Sequence, residues 1–377
     1  MLKEKVKFLK SSYVELGFML LLVVFAYIGL TIIALLASAP NPGEMGHGTI
    51  VLWLLAFFLL SFSIAIVSVV AGIGGGVIFT PLMLAFTPVN SIIIRGTGLI
   101  VAMSSGPIST GIFMKRGIGH FRLCCVLVIS QGIGAFFGAQ VAIGAAHTFG
   151  DGGEGFLRVA LGTLLVFVAI YFSSGGKKME YPRALRVDAL SKWMQLEHSY
   201  LEESEGKIHS YQVSRIFLGL ALVFVVGFLG SFFGMGAGWA LTPVQNLGLG
   251  MPLKAAMANS GISVAMVGSV SIWPYLLAGG IIPLFVLPWL AGQVVGGYLG
   301  AILLVKIKVA MIRVLLIGIL FFTSFGLVSD GLLQLNIIGN VPGQVSVALF
   351  VFIMLACLFV VFKMHKKEEG GENGKNE

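Results

Sequence analysis

Two stretches of the chain repeat one pattern. GIGGGVIFTP runs from Gly72 to Pro81, and GMGAGWALTP runs from Gly234 to Pro243. Gly72, Gly74, Gly76, Thr80 and Pro81 match Gly234, Gly236, Gly238, Thr242 and Pro243. Both stretches lie in strongly apolar sequence, where a glycine inside a helix costs about 1 kcal/mol relative to alanine. A glycine cluster lets the backbone leave a helix and turn tightly. Thr80 and Thr242 then fit as N-caps, with Pro81 and Pro243 at the first helical position. Each short apolar segment that follows is expected to be a half-helix. Its free N–H groups and the positive end of its dipole favour an anion. The residues expected to cradle it are Gly74, Gly75, Gly76 and Thr80, with Gly236, Ala237, Gly238 and Trp239 opposite. Close helix packing on small residues is the other use such glycines have. The repetition, the short segments and the Thr-Pro pairs favour a site. No strand precedes the glycines, so a dinucleotide fingerprint does not apply.

A second set of residues could complete such a site. Arg95, in SIIIRGTGLI, is a basic residue inside an apolar run. Intramembrane cations mark pathways, although a long side chain can also snorkel to the interface. Thr97 is matched in the second half by Ser260, with Asn259 before it. Gln131 and Gln293 are matched amides in Gly-rich helices. All five can hydrogen-bond a ligand, and all can serve helix packing instead. Trp239 and Trp273 could wall a cavity. No Asp or Glu falls in the middle of an apolar run, and the histidines fall near segment ends. A cation pathway or carboxylate proton relay would need such groups. The site therefore reads as neutral to positive, without metal or cofactor, and suited to a small anion. An intramembrane hydrolase built on Ser105 would need a general base within reach, and none is placed there.

The elements that must hold these residues are membrane helices. Of 377 residues, 57% are hydrophobic and 11% charged, against about 25% charged in a soluble domain. Apolar segments fall at 13–39, 49–71, 75–88, 91–113, 123–146, 156–173, 213–233, 238–250, 255–277, 281–304, 309–329 and 342–362. Segments 75–88 and 238–250 are too short to cross a core of about 30 Å comfortably. Lys3, Lys5, Lys7 and Lys10 precede the first segment, which is longer than a signal-peptide core and reads as a retained helix. With both termini placed in the cytoplasm, nearly all basic residues fall inside, Arg95 and Arg158 apart. The net charge of +8 thus reports orientation in a cell inner membrane and not nucleic-acid binding. Cys124, Cys125 and Cys357 lie in apolar runs and read as packing residues.

An offset near 162 aligns the two halves. Beyond the glycine stretches, GTGL at Gly96 aligns with NSGI at Asn259, and QGIGAFFGA at Gln131 with QVVGGYLGA at Gln293. Each copy holds five segments, an odd number, so the copies would be inverted in the membrane, with a site at their interface. The expected fold is an all-α polytopic membrane protein of two inverted repeats with Gly-rich broken or re-entrant half-helices. Its parts are an extra helix and outer loop (1–48), a first repeat (49–173), a cytoplasmic linker (174–212), a second repeat (213–329), a last helix (330–365) and a disordered tail (366–377). Part of the linker, with Leu185, Leu190, Trp193 and Met194, could form an amphipathic surface helix.

The motifs GIGGGVIFTPLM, GTGL, MKRGIGHFRL, GIGAFFGA, GMGAGWALTP, NSGI and GQVVGGYLGA, in that order, resemble those of the TauE/SafE family. These are sulfite and organosulfonate exporters, also called the toluene-sulfonate uptake permease family. The resemblance covers roughly residues 55 to 330. It departs at Ala237, where a glycine is usual, and in the long polar insert at 174–212. It implies a secondary transporter that exports sulfite or a small sulfonate such as sulfoacetate by alternating access, and no enzyme. Transport of another small anion and a non-transporting receptor or scaffold are the alternatives. Oligomers are compatible with either.

Overall fold

The computed structural model describes residues 47–71, 73–86, 89–174, 187–202, 206–306 and 309–339. The segments expected at 13–39 and 342–362, the tail, Cys357, Gly72 and residues 175–186 lie outside the described residues. The described chain is mostly helical. It runs as α1 (His47–Ala71), α2 (Gly76–Phe86), α3 (Ser91–Ser104), α4 (Gly106–Lys115) and α5 (Phe121–Ser174). A short α6 (Ala189–Trp193), then strands β1 (Glu197–Glu202) and β2 (Lys207–Gln212), form the linker. The chain continues through α7 (Ile216–Phe232), α8 (Gly238–Pro243), a π-helical turn at Val244–Gly248, α9 (Leu253–Leu277), α10 (Pro283–Lys306) and α11 (Val309–Gln334). Among the described residues four stretches are long and apolar enough to cross a membrane: Ser91–Lys115, Phe121–Ala146, Leu253–Leu277 and Pro283–Leu304. Ser105 interrupts the first of them, with Pro107 just inside the next helix. Outward faces carry Ile129, Phe137, Phe217 and Val225, apolar groups suited to lipid.

Glycines set the closest helix contacts. A Cβ at Gly292, Gly296 or Gly300 of α10 would run into the α1 carbonyls of Phe58, Phe62 and Ile66 respectively. A Cβ at Gly134 or Gly138 of α5 would do the same to Phe224 and Phe228 of α7. Without side chains at these positions the backbones approach, which is how helices associate in lipid. The two seams share one register: Phe62 and Phe224 are 162 positions apart, as are Gly134 and Gly296.

Three features differ from the sequence reading. First, α2 and α8 begin at Gly76 and Gly238, not at Pro81 and Pro243. Thr80 and Thr242 are therefore inside helices and are not caps. Gly74, Gly234 and Gly236 adopt positive φ of 76°, 68° and 73°. That conformation suits glycine and lets the turn hand over directly to the helix. Pro243, inside α8, lacks an N–H, and the chain loosens to π geometry just after it. Second, α5 is one helix of 54 residues, continuous through 147–155, the gap between the apolar segments at 123–146 and 156–173. No proline interrupts it, and a Cβ at Gly155 would come within 2.9 Å of the Gly331 carbonyl oxygen on α11. Arg158 of α5 forms an ion pair with Asp330 of α11. Third, the polar linker contains an antiparallel hairpin, with Glu197 opposite Gln212 and Glu202 opposite Lys207.

Candidate functional site

The two glycine turns touch each other. A Cβ at Gly76 would stand 2.7 Å from the Met235 carbonyl oxygen, and one at Gly238 would overlap the Ile73 carbonyl. Ile73 and Met235 occupy matching places in the two stretches, so the contact is reciprocal. Helix α3 crosses both turns. Ala102 faces Gly76 and Gly236 alike, each 2.8 Å from where a Cβ would be. Gly98 is pressed against Thr80 and the Gly234 carbonyl. Thr80 Oγ1 donates to that same carbonyl across 2.7 Å. Its hydroxyl therefore bonds one half of the molecule to the other.

Arg95 joins this crossing. It is 3% exposed. Its Cα, Cβ and Cγ pack on Gly234, leaving no room there for a side chain. Its guanidinium lies 5.9 Å from the centre of the Phe232 ring, a cation–π distance. The residue is thus held inside the protein beside one of the two turns. Thr97 follows on α3, fully buried, and its hydroxyl has no hydrogen-bond partner among the described residues. Ser260 Oγ reaches the Gly238 carbonyl at 3.5 Å, which ties α9 to the second turn.

The amides diverge. Gln293 Nε2 donates to the Ser61 carbonyl at 3.1 Å and to its hydroxyl at 3.3 Å. Gln131 is fully buried, and its carboxamide has no partner among the described residues. It lines a small cavity with Ser231, Gly236, Ala237 and Ser271. Ser231 Oγ donates to Ser271 Oγ over 2.9 Å. Neither serine was singled out from sequence, because a hydroxyl in an apolar helix more often bonds its own backbone. Trp239 is 2% exposed and Trp273 59% exposed. Trp273 therefore walls no interior cavity.

Asn259 lies apart from the turns in its bonding. Its Oδ1 accepts the His120 N–H at 2.7 Å. His120 stacks on His198 of β1, with ring centres 4.8 Å apart. His198 Nε2 lies 2.8 Å from the Gly117 carbonyl. The linker hairpin is thereby docked on the turn before α5. A deeper anchor is Lys254, whose Nζ meets Glu202 Oε1 at 2.6 Å with side chains 1% and 0% exposed. Asp188 accepts the Ile216 N–H at 2.7 Å.

Burial holds the His120 imidazole down, to about 4 from 6.5, with His198 and Arg122 adding to the effect. The sign follows by linkage. An unfolded chain takes up the proton near pH 6.5, and the folded one only near pH 4. The fold therefore loses stability as pH falls through this window. Melting temperature is expected to drop between pH 6.5 and 4, and His120→Asn should flatten that slope. An unchanged slope in the variant would remove His120 from the account.

Comparison with known proteins adds a family. The model of the sulfite exporter TauE/SafE family matches residues 57–327. A Bacillus subtilis (strain 168) protein described as "Probable membrane transporter protein YunE" is 26% identical over 272 residues, covering 69% of this chain and 92% of that protein. No solved structure matches the chain.

Proposed function

The chain belongs to the sulfite exporter TauE/SafE family, and on that premise we propose that it exports sulfite or a small organosulfonate such as sulfoacetate. It is a membrane transporter; the membrane we assign is the cell inner membrane, with both termini in the cytoplasm. The anion would be held where the two glycine turns meet. Backbone N–H groups of Gly74 to Gly76 and of Ala237 and Gly238 would face its oxygens, the Gly236 N–H being already given to the Gly230 carbonyl, and Thr97, Gln131 and Ser260 would add neutral hydrogen bonds. Asn259 would couple this region to the cytoplasmic loop it already bonds.

One observation carries the anion reading: a buried arginine packed against one of two mutually contacting glycine turns. A guanidinium suits an oxyanion because it donates two parallel hydrogen bonds. The reciprocal contacts, Gly76 on Met235 and Gly238 on Ile73, together with the matched seams, support two inverted repeats. Such an arrangement moves a midplane site between the two sides by rocking one repeat against the other. That the cargo carries sulfur rests on family membership.

Calorimetric titration of the purified protein with sulfite, sulfoacetate, sulfate and acetate tests the reading. Sulfite or sulfoacetate should bind in preference to acetate. Arg95→Ala should weaken that binding about tenfold to a hundredfold, the range for a hydrogen bond to a charged group. Wild-type affinity in the variant would remove Arg95 from the site.

A further inference from the structure

Gln131 and Gln293 are 162 positions apart in matching helices, yet the structure uses them differently. Gln293 is a clasp. Its Nε2 bonds the carbonyl and hydroxyl of Ser61 on α1, and Ser61 Oγ donates in turn to the Trp289 carbonyl on α10 at 2.5 Å. The carboxamide lies flat against Gly75, where a Cβ would stand 2.5 Å from Oε1.

Each partner of that clasp has changed in the other half. The position matching Ser61 is Val223, which has no hydroxyl. The position matching Gly75 is Ala237, whose methyl fills the space that the Gln293 amide uses. Both are buried. Gln131 is left facing a cavity of about 10 Å³, room for about one water-sized atom. A fully buried carboxamide without partners is costly unless something completes it. The cavity also holds Ser231, whose hydroxyl proton already goes to Ser271 Oγ, which donates onward to the Val267 carbonyl at 3.2 Å. Among the described side chains lining the cavity, the donors left without a partner are therefore the two amide N–H groups of Gln131. The wall between is apolar, including Leu99 and Val264.

We propose that the site is functionally asymmetric: Gln131 is the substrate-contacting, specificity-determining amide, and Gln293 is a structural brace. The proposal rests on the transport reading above. One oxygen of the sulfur oxyanion takes the cavity and accepts from the Gln131 amide. The Val223 and Ala237 pair keeps that amide available by denying it the clasp.

The test is sulfite binding to the purified full chain, with melting temperature measured alongside. Four proteins are compared: wild type, Gln131→Ala, Gln293→Ala and the double variant Val223→Ser with Ala237→Gly. The double variant rebuilds the clasp around Gln131. Gln131→Ala and the double variant should each weaken sulfite binding about tenfold or more, with the ligand-free melting temperature kept or raised. Gln293→Ala should act first on the ligand-free melting temperature, lowering it. Wild-type affinity in Gln131→Ala overturns the proposal, whatever the double variant does. A larger loss of affinity in a stable Gln293→Ala protein overturns it too, while leaving the transport reading intact. A wild type that binds no sulfite or sulfonate defeats the transport reading, and the inference with it.

Discussion

Gly238→Ala is expected to destabilise the protein by about 3 kcal/mol, the upper range for overpacking a tight core. The added methyl would overlap the carbonyl oxygen of Ile73 and crowd its Cα. Those are backbone atoms, so no rotamer change can relieve the clash. The first glycine turn must move, and it is already wedged between α3 and the second turn. Gly111→Ala is the control. Gly111 is exposed in α4 with nothing within 4 Å of its Cβ position. Helix propensity alone makes that change neutral or slightly stabilising. Thermal unfolding in detergent measures both. Equal melting temperatures would show that the two turns are not in contact, and the site built on that contact would fall.

Glu202→Gln is expected to cost about 3–5 kcal/mol, the range for breaking a buried ion pair by removing one partner. Both side chains are inside the protein, with 2.6 Å between Nζ and Oε1. Lys254 sits in the first turn of α9, the helix that also carries Asn259 and Ser260. Neutralising Glu202 leaves the ammonium buried, and the hairpin should detach to hydrate it. Limited proteolysis should then cut between residues 187 and 212, where the wild type resists. Replacing both partners, Glu202→Gln with Lys254→Met, should recover most of the loss, because an apolar pair carries no desolvation penalty. A single variant as stable as wild type would mean that the pair is solvated.

The glycine turns were legible because their signals are local. A cluster of Gly followed by Thr-Pro signals a turn from sequence neighbours alone, and the same spacing recurs 162 residues on. The role of Thr80 was not. Its hydroxyl bonds a carbonyl 154 residues away, and only the folded chain reveals that choice over capping. The Lys254–Glu202 pair was hidden for the same reason, since each residue alone reads as a cytoplasmic charge. The hairpin does carry a local signal: the strand-favouring Tyr200, Ile208 and Tyr211 lie on either side of Gly206, which has φ of 65°. The glycines and acidic residues at 147–155 imitate a loop, yet α5 runs through them: no proline falls there, and the bare backbone at Gly155 packs against α11. The contrast between Gln131 and Gln293 was present in the alignment at Val223 and Ala237. Its meaning emerged only when the carboxamide partners could be compared.

Anion flux across proteoliposomes reads transport, cargo selectivity and the role of Arg95 in one experiment. Vesicles containing the wild type or Arg95→Ala would be loaded with labelled sulfite, and counterflow driven by sulfite, sulfoacetate, sulfate or acetate. Counterflow is expected with sulfite or sulfoacetate, little with acetate, and loss of both in Arg95→Ala at equal reconstitution. Equal counterflow with acetate, or flux that ignores Arg95, would contradict a sulfur-oxyanion site at the crossing of the two turns.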